Sequence, residues 1–323
     1  MVTLTEFEQA QQRIHGVAVR TPLVSFRPSA AEDARHLWLK LESFQPIGSF
    51  KLRGAYNMIA SLPEDQRRRG VITYSSGNHA QGVAYAAKVL GIPAVIVMPN
   101  NAPAVKVSAT RALGAEVVFV GPASSERQLK AEQIQRERGM AMIPPYNDER
   151  IIAGAGTAAM EILADLPDVD VILSPVSGGG LLSGTATATK LLCPDVRVIG
   201  VEPELAADSQ ESFRKGKLVE WPAEKTTRTI CDGLRTQSLG PINFDHIQKY
   251  VDDIVTVSDE QIKDAMRELA LQARIVAEPS GACSVAALLY ARNQLPAGKN
   301  YVAIVSGGNV VPELIAQVLV ATS

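Results

Sequence analysis

Short apolar runs and longer amphipathic stretches alternate along most of this chain. Residues 71–74, 94–98, 116–120, 169–173, 197–201, 254–257 and 301–305 are rich in Val and Ile and read as strands. Leu37-Trp38-Leu39-Lys40-Leu41-Glu42 alternates apolar and polar positions and predicts a half-buried strand. Helical spacing is clearest after Ser258, where Ile262, Met266, Leu269 and Ala273 fall on one face. Ser258-x-x-Gln261 reads as a capping box for that helix, and Thr5-x-x-Glu8 as a box for a helix over 3–15. Ser49 is the expected cap of a helix running to about Leu62, where Pro63 stops it. Gly91, with Pro93 beyond it, and Gly114 mark two further helix ends. Helices are also expected over 150–164, from the 177–181 turn to about Leu192, over 281–294, and after Asn309. Strand and helix follow each other three times within 70–147, which predicts a small parallel α/β domain. Residues 205–253 show no readable period.

Composition adds bounds rather than detail. With 323 residues, 46% of them hydrophobic, the chain can bury one large α/β core or two smaller ones. Its 32 basic and 34 acidic residues leave a net charge of −2, which offers nothing to nucleic acid or an anionic membrane. Cys193, Cys231 and Cys283 lie far apart, and the four histidines are scattered, so neither a disulfide framework nor a zinc spacing is present. The N-terminal stretch lacks a basic segment followed by an apolar one, and no run of 18 apolar residues occurs. These features point to a cytoplasmic protein.

The candidate chemistry centres on Gly48-Ser49-Phe50-Lys51-Leu52-Arg53-Gly54-Ala55. Lys51 falls in the first turn of the expected helix, at the positive end of its dipole and among apolar neighbours. Both conditions disfavour the ammonium and lower its pKa. The resulting amine can attack a carbonyl. A lysine that snorkels out of a helix start fits the same residues. Three loops change the balance, because Ser75–His79, Ser177–Leu181 and Ser306–Asn309 share one grammar of strand, Ser/Gly turn and helix. Such turns leave backbone N–H groups free for an anion, phosphate above all. In one parallel sheet all three would lie on the carboxyl edge, where ligands bind. Segment 169–202 also has parts of a dinucleotide fingerprint: Gly178-x-Gly180, a helix, and a strand ending at Glu202. Its third glycine should stand at 183, which is serine, and Gly184 is one residue late. A phosphate without a nucleotide, next to a lysine-reactive aldehyde, describes pyridoxal phosphate. A dinucleotide-dependent oxidoreductase is the reading from another class.

Ser49–Ala55, Ser75-Ser76-Gly77-Asn78-His79-Ala80-Gln81-Gly82, the 178–181 loop and Ser306-Gly307-Gly308-Asn309, in this order, give the chain a family likeness. It resembles the fold-type II pyridoxal phosphate enzymes of the threonine/serine dehydratase and serine racemase group over nearly its whole length. The resemblance implies a tryptophan synthase β-like α/β fold with two open, twisted, mostly parallel sheets flanked by helices. It implies a small substrate-binding domain at 70–147 inserted into a large cofactor-binding domain made of 1–69 and 148–323. Lys51 is then the lysine that links to the cofactor and the base that takes the α-proton. Phe50 packs on the ring and Asn78 meets the ring hydroxyl. Ser177, Gly178, Gly179, Gly180 and Leu181 hold the phosphate, and Ser306 faces the pyridine nitrogen. Ser75, Ser76, Asn78 and His79, with Arg127, hold the substrate carboxylate. Many relatives have glycine where this chain has Ser177, whose hydroxyl is expected to donate to phosphate.

A neutral hydroxyl at Ser306 cannot hold a full positive charge on the ring nitrogen, which favours elimination over transamination. The same serine would also serve as a cap of its own turn. Glu202, Ala206 and Asp208 have the spacing that relatives use for Mg²⁺, Mn²⁺ or Ca²⁺, though two solvated acids at a strand end fit too. Ser76 matches the serine that supplies a proton in the racemase branch. The implied activity is β-elimination of L-threonine or L-serine to a 2-oxo acid and ammonia. Serine racemisation and 3-hydroxyaspartate dehydration are the alternatives. A homodimer is implied, with no C-terminal regulatory domain and hence no isoleucine-type inhibition.

Overall fold

The computed structural model describes residues 1–29, 35–102, 104–121 and 124–320. Its strands are β1 (Leu23–Phe26), β2 (His36–Leu41), β3 (Val71–Tyr74), β4 (Ala94–Pro99), β5 (Glu116–Val120), β6 (Ala141–Met142), β7 (Val171–Pro175), β8 (Arg197–Pro203), β9 (Asp253–Val257) and β10 (Asn300–Val305). They form a six-stranded sheet in the order β1-β2-β10-β7-β8-β9 and a four-stranded sheet in the order β5-β4-β3-β6. Only the β1–β2 pairing is antiparallel among the described residues. The helices are α1 (Leu4–Ile14), α2 (Lys51–Ala60), α3 (Glu64–Arg69), α4 (Asn78–Leu90), α5 (Ala104–Ala112), α6 (Ser124–Arg138), α7 (Glu149–Asp165), α8 (Gly180–Leu192), α9 (Asp208–Lys215), α10 (Ala223–Thr226), α11 (Pro241–Tyr250), α12 (Asp259–Glu268), α13 (Pro279–Tyr290) and α14 (Pro312–Val320). Among the described residues no helix is long and apolar enough to cross a membrane.

Both faces of the central strands are buried, as a parallel sheet requires. On one side Ala303 and Val305 of β10 join Leu173, Val255 and the inner faces of α12 and α13. On the other, Val302 and Ile304 pack with Ile172, Ile162 of α7 and Leu181 of α8. Strand β2 is buried further than its alternation suggests, because Lys40 is fully enclosed. Its ammonium reaches Glu161 (2.6 Å) and the Thr21 carbonyl (2.7 Å), so a polar position becomes a core position.

Local signals for helix ends succeed where one choice satisfies them. Ser258 accepts from Gln261 N–H (3.2 Å) and Gln261 accepts from Ser258 N–H (2.9 Å), as the capping box requires. Gly91 closes α4 with φ 66°. The box of α1 is instead Thr3 with Glu6, not Thr5 with Glu8. Val2 is buried and its N–H donates to His246 Nε2 (3.0 Å), which fixes Thr3 as the turn. Ser49 does not cap α2 either. Phe50 takes the cap position without a side-chain bond, while Ser49 lies in an antiparallel bridge with Gly307 and its hydroxyl is buried without a protein partner. Lys51 still occupies the first turn. Ile262, Met266 and Leu269 are buried as expected, but the turn Leu269–Ala273 widens into a π-helix.

Candidate active site

The three Ser/Gly loops do not share one sheet edge. Ser177–Leu181 and Ser306–Asn309 follow β7 and β10 of the six-stranded sheet, whereas Ser75–His79 follows β3 of the four-stranded one. They meet because the carboxyl ends of the two sheets are tied together. Asn309 Nδ2 donates to Asn78 Oδ1 (2.8 Å), and Asn78 Nδ2 donates to Glu278 Oε1 (2.6 Å). The lysine segment joins the same junction: Phe50 N–H donates to the Ser306 carbonyl (3.0 Å) and Gly308 N–H to the Gly48 carbonyl (2.9 Å).

Lys51 Nζ lies 5.1 Å from the centre of the Phe50 ring and donates to the Pro145 carbonyl at 2.7 Å. Burial lowers its pKa to about 8. At neutral pH about a tenth of it is therefore free amine, the form that attacks an aldehyde, against well under a hundredth for an ordinary lysine.

Helix α4 makes its first internal bond from Gln81 N–H to the Gly77 carbonyl (3.4 Å). The N–H groups of Asn78, His79 and Ala80 thus have no acceptor within the helix and are available to a carboxylate. Ser75 Oγ accepts from Gly77 N–H (3.3 Å), and Ser76 is half-buried beside it. The His79 ring is enclosed and already bonded. It is 3% exposed, and its Nε2 bonds the Ile143 carbonyl (3.0 Å). Burial, with the charge of Lys51, lowers its pKa to about 3, so the ring is neutral and donates. Arg127, on α6, is half-buried beside Tyr74; burial lowers its pKa, and its Nε is enclosed without a partner.

In the phosphate-loop candidate, α8 makes its first internal bond from Ser183 N–H to the Gly179 carbonyl (2.8 Å). Gly180, Leu181 and Leu182 therefore offer three free N–H groups. Gly179 has φ +99°, a conformation that favours glycine, and a Cβ on Gly178 would stand 2.3 Å from the Tyr146 ring. Glycine at 178 is thus required by Tyr146, which packs closely against the loop. The Ser177 hydroxyl lies 2.8 Å from Thr236 Oγ1; accepting from Thr236 would leave its own proton to give to an anion. Ser306 is buried, with its hydroxyl at 3.4 Å from the Ser280 carbonyl.

Sequence reasoning missed Pro145, Tyr146 and Glu278. Tyr146 follows a Pro-Pro pair that reads only as a loop. Glu278 stands before Pro279, the first residue of α13, and an acid followed by an N1 proline is a helix-start signal that was available. Burial, with Asp232 nearby, raises the pKa of Glu278 to about 7.

Glu202 and Asp208 are both 1% exposed. Glu202 accepts from the N–H groups of Ser209 (3.2 Å) and Gln210 (2.8 Å), and Asp208 Oδ2 is buried with no partner. Burial and the charge of Asp208 push Glu202 well up; burial raises Asp208 to about 7. They are not solvated acids. Among the described residues no group of three or more His, Cys, Asp or Glu is placed to hold a metal.

The profile of the family described as pyridoxal-phosphate dependent enzyme matches residues 14–307. The chain is 42% identical over 320 residues to L-threonine ammonia-lyase of Thermotoga maritima, covering 99% of this chain and 78% of that protein. It is 43% identical over 311 residues to L-threo-3-hydroxyaspartate ammonia-lyase of a Pseudomonas species, covering 96% of each. The solved structure of maize serine racemase superposes with a TM-score of 0.92 at 38% identity, covering 98% of this chain and 96% of that one.

Proposed function

This chain belongs to the pyridoxal-phosphate dependent enzymes, and we propose that it is an ammonia-lyase removing the β-hydroxyl and amino groups of L-threonine or L-serine to give a 2-oxo acid. The observation that carries this reading is Lys51: an amine with its pKa lowered to about 8, at the point where both sheets, the glycine loop and the Ser306 loop converge. The residues fit the cofactor. Lys51 is aldehyde-reactive, three N–H groups at α8 suit a phosphate, and Asn78 has one N–H left to give. Its Oδ1 accepts from Asn309 and one N–H is given to Glu278, which leaves the second N–H and the second lone pair of Oδ1 to meet the ring hydroxyl.

When bound, the cofactor supplies an electron sink for the negative charge that proton removal leaves on the substrate. The chain does the rest. The N–H groups of Asn78, His79 and Ala80 bind the substrate carboxylate, with Arg127 beside them. Lys51 takes the α-proton as general base. Ser306 presents a neutral hydroxyl to the ring nitrogen. Phe50 flanks Lys51, and Tyr146 packs against the glycine loop. Glu202, Asp208 and the Ala206 carbonyl form a site for a hard divalent cation. The unpartnered Asp208 oxygen supports this, and two carboxylates, a carbonyl and waters make a suitable shell.

The test is twofold. Purified protein should carry a visible chromophore that borohydride fixes to Lys51. A panel of 3-hydroxy amino acids, assayed for 2-oxo acid and for both enantiomers of residual substrate, should give fastest turnover with L-threonine or L-serine. Fastest turnover with 3-hydroxyaspartate would replace the substrate assignment, and a colourless protein that binds NAD would replace the whole reading.

A further inference from the structure

From Val171 to Thr189 every residue is buried except Ser177, which is half-buried. The chain opens at this one point, just past the end of β7, where the glycine loop begins. The Ser177 hydroxyl lies 2.8 Å from Thr236 Oγ1, and either oxygen can be the donor. Thr236 is half-buried too, and among the described residues its hydroxyl has no other partner. The backbone on both sides of Thr236 is pinned. Thr226 Oγ1 donates to the Arg235 carbonyl (3.1 Å), and Arg235 Nε donates to the Thr229 carbonyl (3.0 Å). Trp221 N–H donates to the Gln237 carbonyl (2.8 Å), and Gln237 Nε2 returns a bond to the Trp221 carbonyl (3.2 Å). A β-branched side chain on a fixed backbone has few rotamers, so Thr236 Oγ1 stands at a set place. The same segment grips the loop backbone through Gly240 N–H, which donates to the Gly178 carbonyl (3.0 Å).

Given the reading of 177–181 as a phosphate loop, we propose that Thr236 is a positioning residue: it donates to Ser177 Oγ and so turns the Ser177 proton toward the cofactor phosphate. A hydroxyl has one proton and two lone pairs. Without an anion nearby, the two hydroxyls can point either way. An anion on the N–H groups of Gly180, Leu181 and Leu182 receives the Ser177 proton only when Ser177 stops giving it to Thr236, and Thr236 then becomes the donor. Two O–H bonds in series that end on an anion strengthen each other, because each polarises the next. Without the Thr236 hydroxyl, Ser177 Oγ loses the partner that selects its rotamer and turns among the staggered positions open to it. The aldehyde end of the cofactor meets Lys51 and has no part in this contact, so the effect belongs to the phosphate.

The experiment is an equilibrium titration of apoenzyme with pyridoxal phosphate and, separately, with pyridoxal, which keeps the aldehyde and lacks the phosphate. Thr236→Val, which keeps the shape and removes the hydroxyl, should bind pyridoxal phosphate about two- to ten-fold more weakly than wild type, the span of one hydrogen bond. Its affinity for pyridoxal should not change. Thr236→Ser, which restores the hydroxyl, should recover most of the loss. In a Ser177→Ala background, Thr236→Val should cost nothing further, because the two residues act through one bond. Thr236→Ala reads the same coupling should the valine variant unfold. A Thr236→Val protein that binds pyridoxal phosphate as wild type does overturns the proposal. So does a loss equal for pyridoxal and its phosphate, or a loss that persists undiminished without the Ser177 hydroxyl; either result makes Thr236 a packing residue of the loop. Wild type that takes up no pyridoxal phosphate would remove the cofactor reading and this proposal with it, whereas failure of the variants alone leaves that reading standing.

Discussion

The reactivity of Lys51 follows from one short stretch of backbone. Phe50 and Ser49 are stitched to the 306–307 strand end, so the helix must begin at Lys51 and its side chain must enter the enclosed junction. Burial then lowers its pKa from 10.5 to about 8. Below about 8 the ammonium predominates, so capture of pyridoxal phosphate by apoenzyme should speed up as pH rises and level off above about 8, read as growth of the visible band. The same shift has a stability sign. The unfolded lysine keeps its proton to about 10.5, so this group makes the apoprotein more stable as pH rises from about 8 to about 10.5. Lys51→Ala should abolish turnover and borohydride labelling while the circular dichroism spectrum is kept. Ser76 separates two activities. Racemisation needs a proton donor on the face opposite Lys51, and elimination does not. Ser76→Ala should therefore remove slow exchange of L- and D-serine yet largely spare L-threonine or L-serine elimination. Unchanged exchange in that variant would reduce Ser76 to a helix-start hydroxyl that binds carboxylate. The sequence located these residues, because a Ser/Gly turn before a helix is a local signal. It did not show that the His79 ring turns inward, since the acceptor, Ile143, lies 64 residues away.

At the scale of elements, helix α2 is held by a buried ionic network. Arg53, two residues after Lys51, forks onto Glu42 (2.7 and 2.8 Å) and onto Glu161 (2.7 and 2.8 Å), and Lys40 adds a third bond to Glu161 (2.6 Å). Burial alone would raise the Glu42 pKa, but Arg53 and a bond from Thr21 outweigh it and hold it low. Such a network stabilises little over an apolar core, yet breaking it strands charges. Arg53→Met should destabilise the protein by about 3–5 kcal/mol in urea unfolding. Arg53→Lys should recover only part of this, because an ammonium cannot make both forks. This network also explains what the sequence hid. Lys40 read as a solvent position of a half-buried strand, and its partner Glu161 is 121 residues away. Residues 205–253 were illegible for the same reason. Their fixed points are distant bonds, such as Gln210 Nε2 to the Ile254 carbonyl (2.7 Å), rather than an apolar period. By contrast, β7 and β10 were readable because burial on both faces leaves the apolar runs Val171–Leu173 and Tyr301–Val305.

At the scale of the whole molecule, the site exists only where the two sheets touch. Each loop was legible alone; their meeting was not, because Asn78 and Asn309 are 231 residues apart and follow strands of different sheets. Besides the Asn309–Asn78 bond, two further links cross that seam. Lys106 of α5 bonds Asp232 (2.8 Å), and Asn78 of α4 bonds Glu278 (2.6 Å). Glu278 is the buried member of this group, 4% exposed. Burial and Asp232 raise its pKa from 4.5 to about 7, while the bond from Asn78 and the charge of Lys106 pull the other way. The sign follows directly. Between about 4.5 and about 7 the folded protein holds a proton that the unfolded chain has released, so this group's contribution is present at low pH and is lost as pH rises through about 7. One proton corresponds to at most about 1.4 kcal/mol per pH unit. Glu278→Gln keeps an oxygen for Asn78 and cannot titrate. Urea-unfolding free energies of the apoprotein at several pH values from 5 to 8 should therefore fall less steeply in the variant than in wild type. Asn78 should keep its orientation, so cofactor affinity at low pH should be unchanged. Parallel curves for the two proteins would mean that Glu278 is already ionised across this range, and that the seam is held by a charged carboxylate rather than a protonated one.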